Sequence, residues 1–342
     1  MRLTIKAKLG LAFGAIVALS AATGAIAFIS LVDLNASIHT LAGRAHRIES
    51  AEELKAGILA NMRAERDLIA SRDEAQTEKL AGEIDQRRSD LDKLAREIEA
   101  AASPQAKPLM QRVIATMDAV AGDQKQVVEL ARQHSMSRAV DALEGPAAEA
   151  QRKLDAVMDT VGERAAGSRD AETDVLRLRM AKMALWLDAD QLTRADSVED
   201  LASRVTAVSA ATNSLEASGK ATVERLAAGG IDAADLKGAL AAFVSEVRHV
   251  VETARGGGTL KADALSRGTG AKAVAEVIKA VDDYRALTGR LMAEAQSEAD
   301  AEAKQSETVV VIAVAVSALA ALAFGIWLVT LIGRGLRRAG EV

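Results

Sequence analysis

The sequence predicts an all-α fold, with long antiparallel helices forming four-helix bundles between two transmembrane helices. Two uncharged runs and one bias in composition predict it. Leu9 to Val32 and Thr308 to Ile332 are 24 and 25 residues without a charge. A hydrocarbon core of ~30 Å needs about 20 apolar residues, so either run is long enough to span with some tilt. Between the runs Ala, Leu, Glu, Arg and Lys dominate, and the whole chain has only three Pro, four Phe, two Trp and one Tyr. That is the profile of long helices, because sheets favour β-branched and aromatic residues.

Residues 1–8 place Arg2, Lys6 and Lys8 ahead of the first run (9–32), and Asp33 closes it. Basic flanks stay in the cytoplasm, so the amino terminus is expected inside and Asp33 outside. A secretory signal is the alternative, since Ala25-Ile26-Ala27 fits its cleavage grammar. The run is longer than the usual ~7–15-residue core of such a signal. The second run (308–332) mirrors the first. Glu302 and Glu307 precede it, whereas Arg334, Arg337 and Arg338 come after it, with Trp327 near that end. An amphipathic ring there favours the headgroup level. Both charge asymmetries give one topology, with both termini inside and residues 33–307 outside. Residues 333–342 read as the opening of a cytoplasmic linker. Whatever the second span drives is expected beyond Val342.

Helix breakers divide the outer 275 residues. A first helix runs from Asp33 to about Ser71, its apolar stripe including Ile38, Leu41, Ala45, Ile48, Leu54, Ile58, Met62, Leu68 and Ile69, mostly at three- and four-residue steps. Asp73 caps a second that continues to Ala102. The stretch Ser103-Pro104 to Pro108 breaks the chain, with Pro suited to the first turn of the next helix. This third helix is expected to reach about Leu143, where Gly145-Pro146 ends or kinks it. A fourth is expected from Ala147 to about Asp188. Ser197 with Asp200 marks the start of a fifth, which ends at Gly229-Gly230. The sixth opens at Asp232 or Asp235 and stops at Gly256-Gly257-Gly258. Gly256 to Gly270 reads as loop, and the last helix starts near Lys272 and enters the second span. Short connections suit antiparallel bundles. One bundle of ~35-residue helices uses about 150 residues, so there is material for two, stacked end to end or in tandem.

The residues carry little chemistry of their own. Cysteine is absent, which leaves no disulfide and no thiolate. The net charge of −5 has its basic residues spread among acidic ones and leaves no nucleic-acid footprint. His39 and His46 stand seven apart, not at the three or four of a metal-binding pair. Gly256-Gly257-Gly258 lacks the lysine of a nucleotide loop, and neither a nucleophile elbow nor a kinase signature is found. We therefore expect no catalysis, no metal and no cofactor.

The order of the parts resembles a known family. Arg2-Leu3-Thr4-Ile5-Lys6-Ala7-Lys8-Leu9, a first span, a helical outer domain, a second span and Ile332-Gly333-Arg334-Gly335-Leu336-Arg337-Arg338 succeed one another. This is similar to the sensory half of a methyl-accepting chemotaxis receptor, ending where a HAMP linker begins. Gly335 departs from the pattern, standing where the family usually has Pro. The resemblance implies either one four-helix sensor or a helical bimodular sensor of two stacked bundles, and the length favours the second. It implies a small-molecule ligand (an organic acid or amino acid) or a periplasmic binding protein, a homodimer, and control of a cytoplasmic kinase and adaptor through a domain beyond this chain. Sensor histidine kinases and cyclic-nucleotide enzymes share such input halves, and a ligand-free membrane scaffold is the plainer alternative.

Four basic residues are the ligand candidates: Arg63, Arg66, Arg179 and Lys182. Arg66 lies between Met62 and Ile69 on the apolar stripe, so it is expected to point inward, where its charge needs a carboxylate. Met62 to Ser71 resembles Leu178 to Leu187, matching Arg63 with Arg179 and Arg66 with Lys182. Trp186, beside the second pair, is expected in the core, with a ligand-pocket wall as the alternative.

Overall fold

A computed structural model describes residues 5–339. All regular structure in them is helical: α1 Ile5–Ala70, α2 Glu74–Ala101, α3 Lys107–Ala131, α4 Ser135–Ala142, α5 Ala148–Arg164, α6 Arg169–Thr193, α7 Val198–Ala228, α8 Ala234–Arg255, α9 Gly258–Leu265 and α10 Ala271–Ala339. The first four residues of the basic start, and Gly340 to Val342 of the expected linker, lie outside the described residues.

Short side chains set most of the boundaries. Asp73 accepts the Ala75 N–H at 2.8 Å and opens α2, which leaves fewer orphan donors in the first turn. Ser103 does the same for Ala106 at 3.3 Å ahead of α3, with Pro108 in its first turn. Ser197 accepts the Asp200 N–H at 3.1 Å, and Asp200 reaches back to the Asp196 N–H at 3.4 Å, so α7 opens with a reciprocal cap. Asp232 accepts from Ala234 ahead of α8. Gly230 and Gly257, both with positive φ, lie just past the ends of α7 and α8, where a Cβ would be strained.

Four expectations are corrected. The third helix stops at Ala131, because His134 adopts a left-handed conformation (φ 47°) before α4. Gly145-Pro146 does not end a helix: it sits in a π-helical turn, Leu143–Ala147, which joins α4 to α5. The wider turn accommodates a residue that has no N–H to donate. The expected fourth helix is interrupted at Ala165 to Ser168, where Gly167 has φ 93°, so α5 and α6 are separate. Gly256 to Gly270 is mostly helix rather than loop, with α9 passing through a second π-helical turn, Ser266–Gly270, into α10.

The chain divides into two compact units. One comprises Leu54–Glu99 and Met110–Val281 and holds two hydrophobic cores. The larger core is walled by four columns: α4 with α5, α6, α7 and α8, with Met158, Leu178, Leu185, Leu215 and Phe243 buried in it. Trp186 is half-buried against it, its ring 6.5 Å from Phe243. The smaller core draws Leu68 and Ile69 from α1, Ala81 and Ile84 from α2, Val127, Val128 and Ala131 from α3, and Ala262 from α9. On the far face of α6, Leu176, Met180, Met183 and Leu187 are exposed at steps of four, three and four.

The other unit falls within Met1–Glu53, Ala100–Leu109 and Asp282–Val342. Tyr284 is fully buried there, and Arg285 is paired with Glu52 and Asp282. Within it α1 and α10 are long and apolar enough to cross a membrane. Phe13, Val17, Phe28, Val311, Leu319 and Ile326 are exposed along them, an arrangement stable in lipid and costly in water. The two helices meet at Thr23 and Ser317, whose hydroxyls are 3.2 Å apart.

Candidate functional site

The smaller core is not purely apolar. Asn61 and Glu65 of α1, Gln124 of α3 and Ser266 at the π-helical turn are 6, 7, 4 and 5 % exposed. Steps of three and four along α1 put Ile58, Asn61, Glu65 and Leu68 on one inward stripe. The hydrogen bonds run in one direction, and Glu65 sets it. A carboxylate only accepts, so Gln124 must turn its amide nitrogen toward Glu65 Oε2, at 3.0 Å. That leaves the Gln124 carbonyl to accept from Asn61 Nδ2 at 2.9 Å. Asn61 Oδ1 is then the atom left over, buried with no donor. Ser266 donates to the other Glu65 oxygen at 2.5 Å.

These side chains line a cavity of about 40 Å³. Ile58, Leu91, Met117, Val127, Val274 and Val277 form its apolar wall. Arg88 also lines it, held at 2.8 Å by Asp85. A water needs ~10–15 Å³ by the same measure, so there is room for a few small atoms and no more. A buried carboxylate supplied only with neutral donors, next to an orphan acceptor, is costly unless something donates to it.

The four basic candidates lie elsewhere. Arg63 and Arg66 are exposed on α1. Arg66 is therefore not inward, and the inward position next to it is Glu65. Arg66 lines a surface cleft with Ile69, Leu260, Asp263 and Arg267, and Arg267 is held by Asp263 at 2.8 Å. Arg179 is half-buried and bonded to Asp159 at 2.6 Å, and Lys182 is 7 % exposed and bonded to Asp155 at 2.5 Å, both aspartates on α5. The repeat between the two segments does not extend to their environments, since Arg66 faces water where Lys182 is buried. One pair belongs to α1 and the smaller core, the other to α6 and the larger, so the structure does not bring the four together.

A further ion pair is structural in form. Asp174 of α6 is 8 % exposed and receives both Arg225 Nε (2.7 Å) and Nη2 (3.0 Å). The bidentate hydrogen bonds from Arg225 hold the Asp174 carboxyl below its usual range, and burial opposes them less. Among the described residues no group of three or more His, Asp or Glu could hold a metal. His39 and His46 are exposed on α1.

Residues 2–166 match the four helix bundle sensory module for signal transduction. That family is a signalling module, not a catalytic one. The match runs from α1 to just past α5 and includes Asn61, Glu65 and Gln124. Within the matched residues, α1 to α3 serve the smaller core while α4 and α5 serve the larger. The fourth column of the smaller core, α9 leading into α10, lies beyond the matched residues. No curated protein and no solved structure matches the chain.

Sequence reasoning misses Asn61, Glu65, Gln124 and Ser266. Their signal is present: polar residues recur at 61 and 65 on a stripe that also holds Ile58 and Leu68. Assigning polar residues to the solvated face hides it.

Proposed function

We propose that the chain is the ligand-sensing and transmembrane-signalling portion of a methyl-accepting chemotaxis receptor, with a sensor of the helical bimodular type. On this reading 9–32 and 308–332 span a bacterial inner membrane, 33–307 is the periplasmic sensor, and 333–342 opens a HAMP-like linker. The receptor works as a homodimer and controls a cytoplasmic kinase and adaptor through a domain beyond this chain. Gly10, Gly14, Ala18, Ala21 and Ala25 offer the small faces that let spans approach closely. The sensory-module match over 2–166 supports the family.

One observation carries the mechanism. The helices that supply Asn61, Glu65, Val274 and Val277 to the cavity, α1 and α10, are the same two that carry the apolar runs. A small molecule that prefers one spacing of these helices needs no further element to reach the membrane. Packed helices shift by ~1–2 Å between discrete states, and a bistable linker amplifies that. Differential affinity for the two spacings is the whole driving force. A carboxylate ligand would meet Arg66 at the surface cleft, because Arg179 and Lys182 already have aspartate partners.

The absence of cysteine makes the test clean. Thr23→Cys with Ser317→Cys places two thiols where the hydroxyls now touch. In native membranes, mild oxidation should cross-link the pair, and a ligand from a small-molecule panel should change the rate. A rate unchanged by every compound, with the pair still cross-linking, would remove the signalling reading.

A further inference from the structure

We propose that the cavity of the smaller core, at its inner end formed by Asn61, Glu65, Gln124 and Ser266, takes the ammonium group of a small amine. The proposal rests on the sensor reading above and specifies its ligand as a cation where the resemblance implies an organic acid. Polarity decides this. The open valences at the buried end of the cavity are acceptors: Asn61 Oδ1, which has no donor, and the remaining lone pairs of Glu65, whose two donors are neutral. Reversing the amides would point the Gln124 carbonyl at the Glu65 carboxylate, so the orphan acceptor is fixed by the charge beside it. A carboxylate ligand would face Glu65 and Asn61 Oδ1, acceptor against acceptor. The one cation on the wall, Arg88, is held by Asp85.

An ammonium answers each feature. It has three donors and no acceptor, so it satisfies Asn61 Oδ1 and Glu65 together and neutralises the buried carboxylate. The cavity, about 40 Å³, accepts a head of this size, and Ile58, Leu91, Val274 and Val277 contact a short alkyl substituent. Ser266 belongs to the π-helical turn that leads into α10. π-helical turns widen a helix locally and recur at functional sites. The amine would therefore tie Glu65 of α1 to the turn from which α10 begins.

The test uses the full chain in lipid nanodiscs at constant ionic strength. Methylammonium and ethylammonium chloride are compared with sodium chloride and with sodium acetate and propionate, by thermal shift and isothermal titration. The expected result is a saturable rise in melting temperature with the alkylammonium salts alone, and affinity lower by about tenfold or more in Glu65→Gln. Val120→Phe, a half-buried position on the cavity wall, should block the amine with Glu65 intact, and serves if Glu65→Gln does not fold. The proposal is overturned if the amines give no more than sodium does, or if Glu65→Gln and Val120→Phe both bind them as the parent does. A response to acetate or propionate alone overturns it too. In that case cross-linking of the Thr23 and Ser317 cysteine variants still responds to the acid, and the sensor reading stands.

Discussion

Asp174 shows how much a single residue contributes to the larger core. Its carboxylate is buried on α6 and takes two hydrogen bonds from Arg225 of α7, whose own side chain is half in water. Because the folded carboxyl titrates below its ordinary value of 3.8, its stabilisation is complete above that value. It is lost as pH falls through the lower folded value. Asp174→Asn should cost about 1–2 kcal/mol at neutral pH, toward the low end for charge-assisted hydrogen bonds because Arg225 rehydrates. Urea midpoints at pH 7 and pH 3 check this: the two proteins should differ at pH 7, and the gap should narrow as pH falls below 3.8. Equal midpoints at both pH values would mean the pair is neutral to folding. The same scale explains the misreading of Arg66. Met62-Arg66-Ile69 and Ile58-Asn61-Glu65-Leu68 are both acceptable helical stripes, offset by about one residue. The first looks better to a reader who keeps polar groups outside. The second is the one the core uses, and its polar members are the candidate site.

Elements with explicit turn chemistry were legible to within a residue or two. Asp73, Ser197 and Asp232 cap helices where the sequence places them, and Gly229-Gly230 ends one. The misread boundaries have physical causes. His134 takes a left-handed conformation with no glycine or asparagine to announce it. Pro146 is absorbed by a π-helical turn. The glycines at 256 to 258 signal close packing, not the start of a loop. Gly258 donates its N–H to Ser135 Oγ at 2.7 Å, and an added Cβ would lie 2.3 Å from the Leu130 carbonyl oxygen. A backbone atom cannot rotate away as a side chain can. Gly258→Ala should thus destabilise by about 1–3 kcal/mol, the range for overpacking that shifts backbone. Gly238→Ala has nothing within 4 Å of the added carbon and should be neutral or stabilising, because Gly is the poorer helix former. Thermal or urea unfolding of both variants decides it. Equal behaviour would mean that the α8 to α9 junction yields more easily than its contacts imply.

At the scale of the whole molecule, two facts of different origin bear on how the chain lies in a membrane. The charge flanks predict both termini inside, and Phe13, Val17, Phe28, Val311, Leu319 and Ile326 expose apolar side chains along two helices long enough to cross a membrane. Neither the bundles nor the helix lengths bear on the direction of crossing; the expectation rests on the arginines and lysines at the ends. Cysteine scanning tests the direction, again without background. Lys125→Cys, exposed on α3, should react with a membrane-impermeant maleimide in cells whose outer membrane is permeable and whose inner membrane is intact. Lys6→Cys should react only after the inner membrane is opened. If Lys6→Cys labels in intact cells and Lys125→Cys does not, the sensor faces the cytoplasm. If only Lys6→Cys is lost from the mature protein, the first run was a cleaved signal. A cleaved first run would leave α1 without its span and remove the two-helix route from cavity to membrane. The label at residue 6 therefore tests the mechanism as well as the topology.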